Sequence, residues 1–228
     1  ELMEIYEVEA FRACATSAMR DAANGPELVE KIFEKTGINI EIIEGREEAR
    51  LISADLMRTL SGKDDATFLY VDVGGGSTEL NIVHEGELID SRSFNLGTIR
   101  QISGMVRDEE REAFATYLKE LSEKYPKLHL VGTGGNINKL LRLGAPAERA
   151  NINVLPVESL RQVAERLRPL TPEERMLLFR LKPDRAEVIV PAADIFLTVA
   201  SITSSTEIIV PTKGLADGIV DSICPALS

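Results

Sequence analysis

Hydrophobic residues recur with two different periods along residues 64–228, and their order predicts an α/β fold. Short apolar runs bounded by turn residues predict strands, and longer stretches with one apolar face predict helices. The predicted strands are 67–73, 78–84, 88–94, 128–131 and 207–210. The predicted helices are 109–125, 137–143, 159–167, 171–179 and 214–223. The resulting order is β-β-β-α-β-α-β-α, with a helical insertion at about 145–203 before the last strand.

Residues 1–60 predict the second half of a similar unit. A strand at 5–14, a short helix, a helix closed by Gly37, a strand at 38–43 and a helix at about 46–60 give the order β-α-β-α. The two strands are expected to be parallel and to form a sheet of their own, because each is followed by a helix.

Two sequence similarities suggest that the two parts are repeats. Glu41-Ile42-Ile43 and Glu207-Ile208-Ile209 both lead into a glycine turn and a helix. Residues 13–18 and 130–135 also occupy equivalent places in the order of elements. The repeat predicts two domains, and it implies that a β-β-β-α half of the first one lies upstream of Glu1.

The composition limits the kind of partner. The net charge is −11, Trp is absent and aromatic residues make up only 5% of the chain. Proteins that hold nucleic acid through phosphate contacts are usually basic, so no nucleic-acid partner is expected. A polyanionic ligand requires either a local concentration of cations or a metal ion.

The two cysteines and the hydropathy pattern bear on the compartment. Cys14 and Cys224 cannot form a disulfide framework and match no zinc motif. They are expected to be buried and reduced in a cytoplasmic protein. No apolar run is long enough to span a membrane, so no membrane partner is expected, while a homodimer is compatible with the sequence.

The segment from Asp72 to Glu79 is the most specific candidate for chemistry. The turn between its two predicted strands consists of Gly74, Gly75, Gly76 and Ser77. Glycine permits positive φ and a close approach to a ligand, and successive N–H groups can converge on an anion. Asp72 and Glu79 can supply the hard oxygen ligands of Mg²⁺. A glycine-rich hairpin turn is the structural alternative, although three glycines exceed what a tight turn needs.

Three further segments allow both a functional and a structural interpretation. Residues 131–136 follow a strand and precede a helix, the context in which a helix N-terminus binds phosphate. Gly134 is the candidate contact there, and close packing of strand against helix is the alternative. Residues 44–50 carry two adjacent carboxylates at a helix start, and residues 16–20 carry a capped helix with an arginine. On pattern alone, helix-dipole partners and a solvated arginine explain these two segments.

Together these segments resemble the exopolyphosphatase / guanosine pentaphosphate phosphatase family. That family belongs to the superfamily of actin-like, sugar-kinase-like and heat-shock-chaperone ATPases. The resemblance runs over nearly the whole chain, from residues 15–20 to residues 214–218. The glycine loop alone indicates the superfamily, whereas Arg20 and residues 45–49 narrow the resemblance to these phosphatases.

The resemblance implies two ribonuclease H-like domains that flank a cleft, the first of them incomplete in this chain. It implies that the loop 74–77 binds a phosphate, that Arg20 contacts phosphate and that Glu48 is the catalytic carboxylate. It also implies that Asp72 and Glu79 hold Mg²⁺, or Mn²⁺ in its place, or serve the attacking water.

Some features depart from the family pattern. The family's other phosphate loop, an Asp-Ile-Gly-Ser-Asn type segment, has no match here, so the isolated chain is expected to be inactive. Asn136 stands where many relatives carry Thr or Ser. Arg185 can contact phosphate, but ion pairing with Asp184 or Glu187 is favoured.

The function implied is release of the terminal phosphate from inorganic polyphosphate or from guanosine pentaphosphate. An ATP-dependent kinase of the same superfamily is one alternative, with residues 131–136 as its adenosine candidate. A non-catalytic module that binds phosphate or nucleotide is the other. The sequence does not choose between the two phosphatase substrates.

Overall fold

The computed structural model describes residues 2–20, 22–44, 47–48, 50–51, 66–85, 87–144, 147–149, 152–211 and 215–224. The helices are α1 (Leu2–Ile5), α2 (Ser17–Arg20), α3 (Gly25–Thr36), α4 (Thr98–Ile102), α5 (Asp108–Lys124), α6 (Gly134–Leu143), α7 (Val157–Leu167), α8 (Pro172–Phe179), α9 (Pro183–Ala186), α10 (Ile189–Ile202) and α11 (Leu215–Ile223). The strands are β1 (Ala13–Ala15), β2 (Ile40–Ile42), β3 (Thr67–Val73), β4 (Thr78–His84), β5 (Glu87–Phe94), β6 (Leu128–Thr133), β7 (Ala147–Arg149), β8 (Ile152–Pro156) and β9 (Glu207–Val210).

The chain divides into two compact units. One comprises Glu1–Arg58 together with Lys213–Ser228, and the other comprises Thr59–Thr212. Each unit has its own sheet, with two strands in the first and seven in the second among the described residues. The predicted α/β class is therefore found in both units.

The first unit is built around the parallel pair β1–β2, in which Ala13 lies opposite Ile40. The predicted parallel strands are confirmed, and they form a sheet separate from that of the second unit. The expected long strand at 5–14 is wrong. The helical turn α1 ends at Ile5, and Glu7 just after it adopts a left-handed φ of 48°. Only the last residues of the predicted strand pair with the short strand β2.

The last helix differs from the prediction in its placement. The sequence assigned residues 214–223 to the end of the second domain, whereas α11 belongs to the first unit. Gly218 explains the close packing, because a Cβ at this position would overlap the carbonyl of Leu51. The predicted helix at 46–60 and the polar boundary at 61–65 lie largely outside the described residues.

The second unit contains the predicted order as far as its last strand, β-β-β-α-β-α-β, because the final helix of the prediction belongs to the first unit. Its strand order is β5-β4-β3-β6-β9-β8-β7. Strands β3, β6 and β9 are parallel, whereas β3–β4 and β4–β5 are antiparallel hairpins. Parallel central strands are buried on both faces, and in β3 every residue except Asp72 is buried.

One hairpin was missed from the sequence. Strands β7 and β8 pair with each other, and β8 adds to β9 in antiparallel register, with Val154 opposite Ile209. The predicted helical insertion at 145–203 therefore begins with two strands. The alternation of Asn and apolar residues before Pro156 is the signal that indicates β8.

Helix α10 forms the centre of the helical layer. It packs against α4, α5, α6, α7 and β3. Its apolar surface belongs to one continuous core with the sheet, in which Phe196, Phe114 and Leu80 are nearly inaccessible to solvent. This core holds the ends of β3 and β6 firmly, and the candidate site is built on those ends.

Two further expectations concern membrane-spanning helices and the cysteine thiols. Of the helices that the structure describes, none is long and apolar enough to cross a bilayer. Cys14 and Cys224 are free thiols, as expected, but both are half-buried rather than fully buried.

Candidate active site

The glycine loop between β3 and β4 is anchored by the start of α4. The Ile99 amide donates to the Gly75 carbonyl at 2.9 Å, and Arg100 Nε donates to the Gly76 carbonyl at 2.8 Å. Gly97 permits this contact, because a Cβ there would overlap the Gly75 carbonyl. These contacts engage carbonyl groups of the loop, and the Gly74 amide donates to the Ser77 carbonyl at 2.9 Å, so the other loop amides are the groups available to a ligand.

Gly75 is needed for space, and the loop glycines do not adopt unusual torsion angles. None of the three has a positive φ, so the left-handed backbone that glycine permits is not used in this loop. A Cβ on Gly75 would press on Ile99 at 2.9 Å, whereas a Cβ on Gly76 would meet no atom within 4 Å. Within the described part of the chain, the amides of Gly75, Gly76 and Ser77 donate to no backbone carbonyl. A small anion can therefore approach these amides without a side chain in its path.

Two carboxylates face each other beside this loop. Asp72 and Glu79 are directly opposite in the β3–β4 register, a spacing that places Cβ atoms roughly 5 Å apart. Glu79 Oε1 accepts hydrogen bonds from Ser77 Oγ at 2.5 Å and from Ser93 Oγ at 3.3 Å. The hydroxyl groups fix the Glu79 carboxylate and couple its position to the loop.

The Asp72 carboxylate is open to water on one side but is otherwise surrounded by protein. This partial desolvation, and secondly the charge of Glu79, raise the pKa of Asp72, while a hydrogen bond from Thr133 lowers it. Gly134 makes the close approach possible, because it has a φ of +87° and an ideal Cβ would lie 2.5 Å from Asp72 Oδ1. Gly134, in the segment 131–136, thus makes room for Asp72 beside the loop 74–77.

The carboxylate pair fits a magnesium ion. Mg²⁺ usually takes one or two protein carboxylates and completes its octahedral shell with water and substrate phosphate oxygens. Among the described residues no group of three or more His, Cys, Asp or Glu side chains is placed to hold a metal, so a cage made wholly of protein ligands is not seen there. Burial is the main cause of the raised pKa of Asp72 and the charge of Glu79 is the second, and a divalent cation would offset the repulsion between the two carboxylates.

Asn136 connects the strand end to Arg185. Its Nδ2 donates to the Val73 carbonyl at 2.9 Å, and its Oδ1 accepts from Arg185 Nη1 at 2.7 Å. Arg185 also lies 3.8 Å from Asp184, so the expected ion pair is present but long, and the contact with Asn136 is the closer one. Asn136, which departs from the family pattern, therefore links the end of β3 to Arg185 of α9.

In the first unit, Arg20 and Glu48 lie together. Arg20 Nη1 donates to the Ile43 carbonyl at 2.7 Å and lies 3.7 Å from Glu48 Oε2. Both side chains keep about a quarter of their surface exposed, at 28% and 26%. The structure thus brings together two residues that the sequence proposed as phosphate contact and catalytic carboxylate.

Glu47 has a different partner. Its Oε1 accepts from Arg12 Nη2 at 2.7 Å, and Arg12 also donates to Glu41 Oε2 from Nη2 at 2.6 Å and from Nε at 3.0 Å. The hydrogen bond to Glu41 raises the pKa of Arg12 and lowers that of Glu41. Sequence reasoning missed Arg12, since an arginine ahead of a strand carries no signal of its own.

Four residues of the segments that carry the family resemblance are outside the described residues. These are Gly45, Arg46, Ala49 and Gly214.

The sequence of this chain is similar to those of known proteins. The sequence model of the Ppx/GppA phosphatase family matches residues 1–227. Exopolyphosphatase 2 of Mycobacterium tuberculosis is 30% identical over 213 residues, which cover 83% of this chain and 66% of that protein. The guanosine-5′-triphosphate,3′-diphosphate pyrophosphatase of Aliivibrio fischeri is 35% identical over 108 residues, 47% of this chain and 21% of that protein. The chain thus spans somewhat less than two thirds of the length of the first of these relatives.

The same likeness appears in three dimensions. The crystal structure of the Aquifex aeolicus member of the Ppx/GppA family superposes with a TM-score of 0.74 at 28% identity, covering 100% of this chain and 78% of that one. The predicted actin-like ATPase fold is therefore confirmed. A family match over almost every residue, together with a shared fold, shows that this chain belongs to the Ppx/GppA phosphatase family.

Proposed function

We propose that the protein hydrolyses the terminal phosphoanhydride bond of inorganic polyphosphate or guanosine pentaphosphate. The observation that carries the proposal is the Asp72–Glu79 carboxylate pair beside a loop whose amides are available to an anion. This combination can bind a phosphoryl group and neutralise its charge. The names of the two relatives support polyphosphate and guanosine pentaphosphate as the substrates to test.

Phosphoryl transfer needs little covalent help from the protein, because its transition state is loose and charge is spread over the phosphoryl oxygens. The proposed role of the loop 74–77 is to donate the amides of Gly75, Gly76 and Ser77 to those oxygens. Asp72 and Glu79 would hold Mg²⁺ or Mn²⁺, which supplies charge neutralisation at the phosphoryl group. Gly134 contributes by keeping the space in which Asp72 sits.

Glu48 is proposed to accept the proton of the attacking water. The water oxygen then bonds to the terminal phosphorus, the bridging P–O bond breaks, and the shortened chain leaves with the electron pair of that bond. Arg20 is proposed to contact phosphate, and its position near Glu48 also balances the carboxylate charge. Positioned general-base help of this kind is worth ~10²–10⁴-fold in rate.

The test is release of inorganic phosphate by the full-length natural protein from polyphosphate, guanosine pentaphosphate and ATP, measured side by side with Mg²⁺. The proposal expects release from one or both of the first two and little from ATP. Transfer of phosphate from ATP to an acceptor would instead support the kinase alternative. Binding without any release would support the non-catalytic alternative.

A further inference from the structure

The start of α4 holds two carbonyl groups of the loop 74–77 through its own backbone. The Gly74 carbonyl accepts from the Thr98 amide at 3.0 Å and from the Thr98 hydroxyl at 3.2 Å. The Gly75 carbonyl accepts from the Ile99 amide at 2.9 Å. Main-chain donors are present whatever side chains α4 carries, so the orientation of these two peptide groups does not depend on a side chain.

The third carbonyl of the loop, that of Gly76, depends on a side chain instead. Arg100 Nε donates to it at 2.8 Å, and in the described part of the chain no main-chain amide does so. Among those residues no carboxylate pairs with Arg100, so its charge is directed at this one carbonyl. The guanidinium is always protonated, and such charge-assisted hydrogen bonds are about twice as strong as neutral ones.

A trans peptide group couples the direction of its carbonyl to that of the amide that follows. The group is planar, and its C=O and N–H bonds point in opposite directions. The Gly76 carbonyl and the Ser77 amide belong to one such group, so Arg100 on the carbonyl directs the Ser77 N–H away from α4. The Gly74 and Gly75 carbonyls direct the next two amides in the same way. The three amides that are available to an anion are therefore oriented by the donors of α4.

The peptide group between Gly76 and Ser77 has little else to fix its orientation. Glycine rotates freely about its backbone bonds, and an ideal Cβ on Gly76 would meet no atom within 4 Å. Rotation of this group would turn the Ser77 amide away from a bound anion. The hydrogen bond from Arg100 opposes that rotation.

We propose that Arg100 is a positioning residue of the phosphate site, which keeps the Ser77 amide directed at the phosphoryl group and strengthens it as a donor. The inference rests on the proposed function and adds a residue to it. A hydrogen bond accepted by a carbonyl polarises its peptide group, so linked hydrogen bonds strengthen one another. The guanidinium, the peptide group and the phosphoryl oxygen form such a chain, with positive charge at one end and negative charge at the other. Arg100 thus acts through the loop and not by touching the substrate.

Amide NMR spectra of the full-length natural protein, titrated with inorganic phosphate in the presence of Mg²⁺, test the proposal residue by residue. In the natural protein the resonances of Gly75, Gly76 and Ser77 should all shift at saturation. In Arg100→Ala the Ser77 resonance should lose most of its shift. The Gly75 resonance should keep its shift, because Thr98 still holds that peptide group. A general loosening of the structure would instead affect all three resonances alike.

The kinetic test compares variants of Arg100 in the full-length protein. Arg100→Ala should lower kcat by about 10²-fold, the low end of the loss of one preorganised donor, and should change KM less. Arg100→Lys should restore part of kcat, because an ammonium group can also donate to the carbonyl, whereas Arg100→Met should not. Ethylguanidinium should partly restore kcat of Arg100→Ala and leave the natural protein unaffected.

Arg111→Ala is the matched control, because it removes an exposed arginine of α5 and should keep both kcat and the phosphate-induced shifts. A Ser77 resonance that shifts equally in the natural protein and in Arg100→Ala would overturn the proposal while leaving the proposed hydrolysis intact. Failure of both lysine and ethylguanidinium to restore any activity would overturn it as well. Loop amides that do not respond to phosphate in the natural protein, together with no phosphate release, would instead overturn the proposed function.

Discussion

Glu47 and Glu48 are adjacent in the sequence, yet their carboxylates bind different arginines. Glu47 accepts from Arg12 at 2.7 Å, whereas Glu48 lies 3.7 Å from Arg20. Neighbouring residues of a helix point about 100° apart, so one backbone segment presents the two acids in different directions. The pair therefore offers a matched test in which charge and chain position are nearly identical.

Glu48→Gln is expected to lower kcat of the full-length natural protein by ~10²–10⁴-fold, the usual value of a general base. The KM should change little, because glutamine keeps the shape of the side chain. Glu47→Gln should leave kcat close to the natural value and slightly lower the melting temperature, because it weakens the bond to Arg12. Equal losses of kcat in the two variants would contradict the assignment of Glu48.

Asp72→Asn is expected to abolish activity but to stabilise the fold at neutral pH when a chelator is present. The raised pKa of Asp72 means that the folded state binds its proton more tightly than the unfolded state. Stability therefore falls as the pH rises from the unfolded value, about 3.9, through the raised folded value. The neutral amide avoids this loss, so the gain in melting temperature should be present at pH 7 and disappear below about pH 4. A variant that is less stable than the natural protein at pH 7 would contradict the prediction.

Gly134→Ala is expected to lower both stability and activity. The alanine must adopt a φ near +87°, and its Cβ would press on Asp72 Oδ1. Left-handed backbone costs roughly 1–2 kcal/mol in a non-glycine residue, and the displaced Asp72 adds a loss of metal and substrate binding. Thermal unfolding and kcat/KM measure the two effects.

Gly104→Ala separates the loss of stability from the loss of activity. Gly104 also has a positive φ, of +64°, but no atom lies within 4 Å of its ideal Cβ. It should lose a similar amount of stability while keeping kcat/KM. If Gly104→Ala lowers kcat/KM as much as Gly134→Ala does, the contact with Asp72 is not the cause.

Removal of divalent metal is expected to abolish hydrolysis. Excess chelator should reduce phosphate release to background, and added Mg²⁺ or Mn²⁺ should restore it, since the chain's charge of −11 requires a cation to approach a polyanion. Asp72→Ala should prevent the restoration. His84→Ala is the control at the other end of the same hairpin, where His84 Nδ1 bonds Thr67 Oγ1 at 2.9 Å, and it should respond to metal as the natural protein does. Full activity in excess chelator would disprove the metal requirement.

Much of the fold could be predicted because it depends on local patterns. Strands 67–73 and 78–84 have the bounds that alternation and turn residues indicated. The first strand failed because the length of β1 is set by its partner β2 and not by its own sequence. The hairpin β7–β8 was missed because its short strands are stabilised by pairing with β9.

The sequence by itself determined the α/β class, the family resemblance, and the residue types of the candidate site, because turn geometry and hydrophobic periodicity are local properties of the chain. Only the tertiary structure decided how those residues are used. It showed that Gly134 makes room for Asp72, that Asn136 holds Arg185, and that Arg100 holds the Gly76 carbonyl of the loop. These contacts join residues as far apart as 62 positions along the chain, and no local pattern encodes which of them meet, since packing of the common core selects the pairs.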